Sequence, residues 1–308
     1  MLEDVLARAH VVALPMRVRF RGIDTREALL IDGPAGWGEF APFPEYGPQE
    51  CANWLRGALE AAYVGFPTPR RTHVPVNATV PAVTPEQVPE VLARFPGCTT
   101  VKIKVAEGDD AARVDAVRQC LPEARIRVDA NQGWTVEQAV AAARRFGELD
   151  YMEQPCQTVE ELAEVRKHSI RVAADESIRR ASDPYAVARA GAADVAVVKV
   201  APLGGVKHVL EIASFMDSHG LSITVASALD TAVGMNAGLA AVAALEHVNP
   251  AGLATQQLFI EDVCEPRRVE DGMLSVAPQV PDPARLAELA SPHKDLWFER
   301  LRQAWKYL

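Results

Sequence analysis

The chain has 308 residues, with 32 Lys and Arg against 41 Asp and Glu, 49% hydrophobic and 24% charged residues. That length suits two domains or one barrel with an appendage, and the composition excludes disordered, collagen-like and coiled-coil classes. A net charge of −9 removes the basic footprint of a nucleic-acid binder, and no apolar run reaches the roughly 20 residues of a membrane helix.

Residues 1–73 read as an α+β capping module. An alternating segment, Val11 to Phe20, precedes a second strand, Ala28 to Asp32, then a Gly/Pro-rich stretch, Gly33 to Pro48, and a helix from Gln49 to Tyr63. The start, Met1-Leu2-Glu3-Asp4-Val5-Leu6, is acidic where a secretory signal is basic, so a cytoplasmic protein is expected. The cysteines, at 51, 98, 120, 156 and 264, form neither a C-x-x-C pair nor a zinc spacing, which points to reduced, mostly buried thiols.

From residue 74 to 274 short β-branched runs alternate with amphipathic helical stretches, the pattern of repeated βα units. The runs span residues 74–80, 99–105, 125–131, 151–155, 171–177, 195–200 and 222–227, with a weak eighth near Leu253. Helices are expected from Thr135 to Phe146 and from Val206 to Met216. Polar residues near the strand ends fall at 104, 129, 153, 175 and 199, in steps of 25, 24, 22 and 24 residues. One βα unit per step predicts a (β/α) barrel whose active site lies where the C-terminal strand ends converge. The tail, 275–308, has a Pro-rich start and a helix containing Trp297, Phe298, Leu301 and Trp305, expected to pack back on the cap or barrel.

Charges inside parallel strands are informative, because such strands are covered on both faces. In Val101-Lys102-Ile103-Lys104-Val105 the two-residue period sets both lysines on one face. With the apolar face against helices, both ammonium groups point into the barrel; a solvent-facing edge strand is the other reading. Asp129, Glu153 and Asp175 end the next three strands. Singly, Asp129 can cap a turn, Glu153 can be a solvated loop residue and Asp175 can cap a helix. In register on successive units they describe a site, and three carboxylates repel unless a cation joins them. An all-oxygen set selects a hard ion such as Mg²⁺. Asn131 and Glu176 stand beside these ligands as supporting candidates. Lys199 ends the sixth strand, across the barrel from Lys104, so a central substrate has a lysine on each face. A lysine serves as base near neutral pH when neighbouring cations depress its pKa. The chemistry these parts describe is proton abstraction next to a carboxylate through an enediolate.

These motifs, Lys102-x-Lys104, Val128-Asp129-Ala130-Asn131, Glu153-Gln154-Pro155, Ala174-Asp175-Glu176-Ser177 and Lys199 with Pro202-Leu203-Gly204-Gly205, resemble the muconate-lactonizing subgroup of the enolase superfamily. The segment from Gly36 to Tyr46 is similar to the capping segment of o-succinylbenzoate synthases of actinobacterial menaquinone pathways. The resemblance implies a modified TIM barrel, (β/α)₇β, with an N-terminal α+β cap, and one Mg²⁺, or Mn²⁺ in its place, on Asp129, Glu153 and Asp175. It implies dehydration of 2-succinyl-6-hydroxy-2,4-cyclohexadiene-1-carboxylate to o-succinylbenzoate. Lys104 would take the α-proton and return one to the departing hydroxyl, Lys102 would neutralise the substrate carboxylate, and Lys199 would stabilise the intermediate from the opposite face. Ser227, Gly234 and Met235, after strand seven, are candidates for the succinyl pocket. The chain is shorter than that subgroup usually runs, and the loop from Arg21 to Thr25 is abbreviated.

Alternative activities are racemisation of an N-succinylamino acid, dipeptide epimerisation, muconate cycloisomerisation, or a non-catalytic carboxylate-binding barrel. The expected partner is a small-molecule carboxylate, with no nucleic acid and no membrane; monomer and homo-oligomer both remain open.

Overall fold

The structure is a computed structural model describing residues 2–20, 22–179 and 184–308, the side chains of Val18 and Phe20 excepted. Arg21, the first residue of the abbreviated cap loop, lies outside the described residues, and the stretch from Ile23 to Thr25 belongs to a strand.

In the cap, β1 (Ala9–Phe20), β2 (Ile23–Gly33) and β3 (Gly36–Phe40) form an antiparallel sheet in chain order. The first two match the alternating segments of the sequence, but β3 lies inside the stretch read as a Gly/Pro-rich connection. Two glycines here, Gly33 at the end of β2 and Gly38 in β3, are there for packing. A Cβ on Gly38 would lie 2.0 Å from the carbonyl oxygen of Ala58, on helix Pro48–Leu59, and one on Gly33 would lie 2.1 Å from that of Ala62. Glycine lets the sheet meet the helix backbone directly, a role that reads as a turn signal in sequence.

The next strands are β4 (His73–Pro75), outside the barrel, and the barrel strands β5 (Ala78–Val80), β6 (Thr100–Lys104), β7 (Arg125–Asp129), β8 (Tyr151–Glu153), β9 (Val172–Ala174), β10 (Val195–Val198) and β11 (Ser222–Val225). β5 to β11 form one parallel sheet in consecutive order. The run expected as one strand over 74–80 is divided, because its first half turns away to pair antiparallel with β12 (Met273–Ser275). The weak eighth strand is a pair of bridges, Ala251 to Val76 and Gly252 to Ala226, which join the two edges of the sheet and close the ring. Both chain positions that separate cap, barrel and tail in the sequence reading fall in the β4–β12 ribbon.

Helices start at fixed points after the strands because polar caps anchor them. Thr135 accepts from the Gln138 N–H while Gln138 accepts from the Thr135 N–H, and Thr158 and Glu161 repeat the exchange. Outward strand residues such as Val101, Ile103 and Val128 join the helices in the main core. A second core unites the cap sheet with tail residues Leu286, Leu289, Trp297, Leu301 and Ala304, and with the barrel residues Ala228, Leu229 and Leu258. The tail helix, Lys294–Trp305, therefore sits on the cap. The five cysteines are free, and only Cys120 is exposed. Among the described residues no helix is long and apolar enough to cross a membrane.

Replacing Gly38 by Ala should destabilise the protein by about 1–3 kcal/mol, the usual cost of overpacking. Chemical denaturation checks this; an unchanged midpoint would mean the sheet and helix separate without loss.

Candidate active site

Register sets the site. Lys104 on β6 is the Cα partner of Asp129 on β7, which is the partner of Glu153 on β8. Inward residues therefore stack in layers. At the C-terminal layer stand Lys104, Asp129 and Glu153, with Asp175 and Lys199 immediately after β9 and β10. Two residues back along their strands, Lys102, Arg127 and Tyr151 fill the layer below. Arg127 lies 4.7 Å over the Tyr151 ring and donates to Asp150, Asn77 and the Pro250 carbonyl. The rest of that interior is small, Ala173, Val195, Val197 and Ala226, which leaves room for long cationic side chains.

Asp129, Glu153 and Asp175 are at most 2% exposed. Such carboxylates require partners, and the lysines supply them. Lys102 donates to both Glu153 oxygens, at 3.0 and 3.1 Å, and lies 3.2 Å from Asp129 Oδ2. Lys104 Nζ donates to Asp129 Oδ2 at 2.6 Å and Asn131 Oδ1 at 2.7 Å. Lys199 Nζ donates to Asp175 Oδ2. The lysines of β6 thus face inward, not toward solvent. Asp129 does cap a turn with its other oxygen, accepting from the Asn131 N–H at 3.1 Å. Asp175 precedes helix Glu176–Arg179 but gives its side chain to Lys199.

Asn131 adopts φ 45°, a left-handed conformation that Asn tolerates better than most residues. Its amide bridges Lys104 to Glu176, donating to Glu176 Oε1 at 3.3 Å. Arg179 donates to the same oxygen at 2.7 Å and holds its Nε 3.9 Å from Asp175 Oδ1.

Electrostatics follow from this packing. Burial opposes the Asp129 charge, but Lys104 and then Lys102 outweigh it and hold the carboxyl well below the usual range. Burial and then the Asp129 carboxylate push Glu153 up to about 7. Burial depresses Lys199, against the pull of Asp175.

The cavity at this layer is lined by Lys102, Lys104, Asp129, Asn131, Asp175, Arg179 and Lys199. Its remaining walls come from Phe43, Thr79, Ala226, Ser227, Ala228, Leu229, Gly252, Thr255 and Leu258. Glu153 is fully buried and held by Lys102. Of the three residues expected at a succinyl pocket, Ser227 lines this cavity. Gly234 borders a separate small cavity with Trp37 and Glu39, and Met235 is fully buried in the core between barrel and helices. Arg179, Phe43, Thr79, Thr255 and Leu258 were not singled out in the sequence. Phe43 arrives from the cap, Leu258 and Thr255 from beyond the closing bridges, and no local pattern marks them.

Among the described residues, no three Asp, Glu, His or Cys side chains are gathered as a ready-made metal cage; ammonium groups separate the carboxylates. The donors nonetheless fit a hard divalent ion. They are oxygens only, on three adjacent strand ends, and Asp175 Oδ1 is buried without a hydrogen-bond partner. With only the ion-pair contact of Arg179 Nε at 3.9 Å, a buried anionic oxygen in that state is costly, and a directly bound cation would relieve it.

Comparison with known proteins agrees with this geometry. Residues 86–282 match the family model described as enolase C-terminal domain-like, and residues 11–62 match enolase N-terminal domain-like. The o-succinylbenzoate synthase of Mycolicibacterium smegmatis is 58% identical over 97% of this chain and 96% of its own length. That of Mycobacterium marinum is 55% identical over 100% of this chain and 96% of its own. Among solved structures, muconate lactonizing enzyme from Pseudomonas fluorescens superposes with a TM-score of 0.80 at 22% identity, over 92% of this chain and 98% of that one. An isomerase from Streptomyces coelicolor gives 0.73 at 22% identity, over 93% and 96%. At such identities the structural likeness establishes the fold.

Replacing Lys199 by Met leaves Asp175 buried without its ammonium partner. In metal-free buffer this should cost about 3–5 kcal/mol of stability, measured by denaturant titration. A loss below about 1 kcal/mol, the worth of an exposed pair, would mean that the two groups are solvated rather than paired in the interior.

Proposed function

We propose, from the premise that this chain belongs to the o-succinylbenzoate synthase family of the enolase superfamily, that it is a lyase of menaquinone biosynthesis. The reaction is dehydration of 2-succinyl-6-hydroxy-2,4-cyclohexadiene-1-carboxylate to o-succinylbenzoate. A lysine base working with a divalent cation on an enediolate is the established pattern of that superfamily. The substrate is a small dicarboxylate, and the proposed compartment is the cytoplasm.

The observation that carries the reading is the placement of Lys104 and Lys199. Lys104 ends the second strand of the ring and Lys199 follows the sixth, on opposite sides, and they line one cavity with Asp129 and Asp175. Asp129, Glu153 and Asp175 would hold a divalent cation, Mg²⁺ or Mn²⁺ by their hard oxygen chemistry. When bound, it would supply Lewis-acid polarisation of the substrate carboxylate and compensation for the charge that deprotonation creates.

The remaining work falls to the chain. Asp129 and Asn131 both accept from Lys104 Nζ, so its lone pair, once the amine is neutral, has a fixed direction for taking the α-proton. The resulting ammonium is then placed to return a proton to the hydroxyl leaving from the same face; the C–H and C–O bonds break, the new double bond completes the aromatic ring, and water departs. Lys102 adds positive charge beside the substrate carboxylate. Lys199 presents its ammonium to the opposite face, where the planar intermediate is electron-rich. Phe43, Leu229 and Leu258 provide an apolar wall that keeps water from the intermediate.

Two lysines on opposite faces also suit inversion of an N-succinylamino acid, and one experiment separates the readings. The ultraviolet absorbance of the cyclohexadiene is followed with purified protein, with Mg²⁺ and with excess chelator. Mg²⁺-dependent loss is expected. No loss with Mg²⁺ present, together with exchange of the α-proton of N-succinylamino acids, would replace dehydration by racemisation. Lys104→Ala should lower kcat/KM by about 10²–10⁴-fold, and a rate near wild type would overturn the base assignment. Asp175→Asn should raise the Mg²⁺ concentration at half of the thermal shift by at least about tenfold. An unchanged titration would move that ligand to another residue, Glu176 first.

A further inference from the structure

The cavity wall after β11 has no regular secondary structure to hold it. Ser227, Ala228 and Leu229 line the cavity, and the loop then runs to Gly234 before helix Met235–Ala244 begins. Leu229 has φ 64°, a left-handed conformation that a branched, non-glycine side chain keeps only when its surroundings impose it. The loop is buried from Ser227 to Val233, so its N–H and C=O groups need partners, and bridge pairing ends at the Ser227 N–H, which donates to the Gly252 carbonyl at 3.0 Å.

Carboxylates accept from several of the N–H groups beyond it, the Ser227 and Thr231 hydroxyls accept from those of Asp230 and Val233, and one cap arginine donates to two of the carbonyls. Asp230 accepts from the Ser227 hydroxyl at 2.9 Å and the Ala228 N–H at 3.2 Å. Asp262 accepts from the Ala232 N–H at 2.9 Å. Two further groups come from the cap. Glu39 on β3, 6% exposed, accepts from the Thr231 N–H at 3.0 Å, the Gly234 N–H at 3.2 Å and the Thr231 hydroxyl. Arg26 on β2, 2% exposed, donates from Nε to the Leu229 carbonyl at 3.0 Å and from Nη2 to the carbonyls of Ala41 and Ala228. Its guanidinium also lies 4.2 Å over the Phe43 ring, a favourable cation–π distance. Gly234 has a reason to be glycine: a Cβ there would lie 2.6 Å from the Glu39 carboxylate.

We propose that Arg26 and Glu39 are positioning residues, a clamp by which the cap fixes the barrel loop 227–234 and so aligns Ser227, Ala228, Leu229 and Phe43 as the substrate-facing wall. Neither side chain lines the cavity itself. Arg26 holds both halves of the wall at once, the Leu229 carbonyl through its Nε and Phe43 through its face. Glu39 gives three donors of the loop one acceptor, and it reaches them only while cap and barrel are docked. The clamp rests on the dehydratase reading for the identity of the substrate, but its geometry does not depend on it.

The test uses Arg26→Met, Arg26→Lys, Glu39→Gln and Lys104-intact wild type at saturating Mg²⁺. For the folded Met and Gln variants we expect KM for the cyclohexadiene and the Kd for o-succinylbenzoate to rise between about 10- and 100-fold, the usual penalty for misplacing a binding wall. The Mg²⁺ titration should not move, and Arg26→Lys should recover part of the loss. Hydrogen exchange provides a readout free of substrate: amides 228 to 234 should lose protection in Glu39→Gln while those of β6 to β9 keep theirs. KM and Kd within twofold of wild type in folded variants, whatever the fall in Tm, would overturn the clamp, as would unchanged exchange in the loop. If wild type fails to consume the cyclohexadiene, the dehydratase reading falls, and the exchange comparison still decides the clamp.

Discussion

Everything at the mouth of this barrel depends on pairing buried charge. A carboxylate or ammonium removed from water is tolerated only beside an opposite charge with hydrogen bonds in place. Asp129, Glu153, Asp175 and Glu176 meet that requirement with Lys102, Lys104, Lys199 and Arg179. The four acids and four bases balance when all are ionised, so a divalent cation entering the site would make it cationic, which suits a carboxylate substrate. Asp175 Oδ1, buried and without a hydrogen bond, marks where that balance is least satisfied.

The fold is arranged around this demand. Strand register places Lys104, Asp129 and Glu153 side by side, and the layer beneath is kept small by Ala173 and Ala226, with Lys102, Arg127 and Tyr151 as its large members. The ring closes not with an eighth full strand but through Ala251 and Gly252, and the chain after that closure brings Thr255 and Leu258 to the cavity.

The cap contributes more than cover. Phe43 enters the cavity wall from it, and Arg26 and Glu39 reach the loop after β11. Glu60, at the end of the cap helix, accepts from the Lys207 N–H at 3.0 Å and so caps the barrel helix Val206–Ser218. Gly205, with φ 118°, makes room for it, since a Cβ there would lie 1.8 Å from Glu60 Oε2. That helix follows the loop after Lys199. Cap carboxylates thus hold the loops after both the sixth and seventh strands, tying catalysis and enclosure to one domain interface.

The sequence alone determined which residues face the barrel axis, because the two-residue period of a strand is local stereochemistry. Lys102, Lys104, Asp129, Glu153, Asp175 and Lys199 were legible for that reason, with their spacing of one βα unit, and Arg127 could have been found two residues before Asp129. Elements whose partners lie far along the chain were not legible. β3 reads as a turn because Gly38 answers a helix some twenty residues away, and the run over 74–80 breaks because its first half pairs with β12. Gly234 and Met235 follow strand seven closely enough to suggest the rim, yet the loop folds back so that one meets Glu39 and the other enters the core. Only the tertiary structure decided which oxygen each ammonium binds and which cap side chains reach the barrel, since those distances depend on sheet closure and domain docking, which no local pattern encodes.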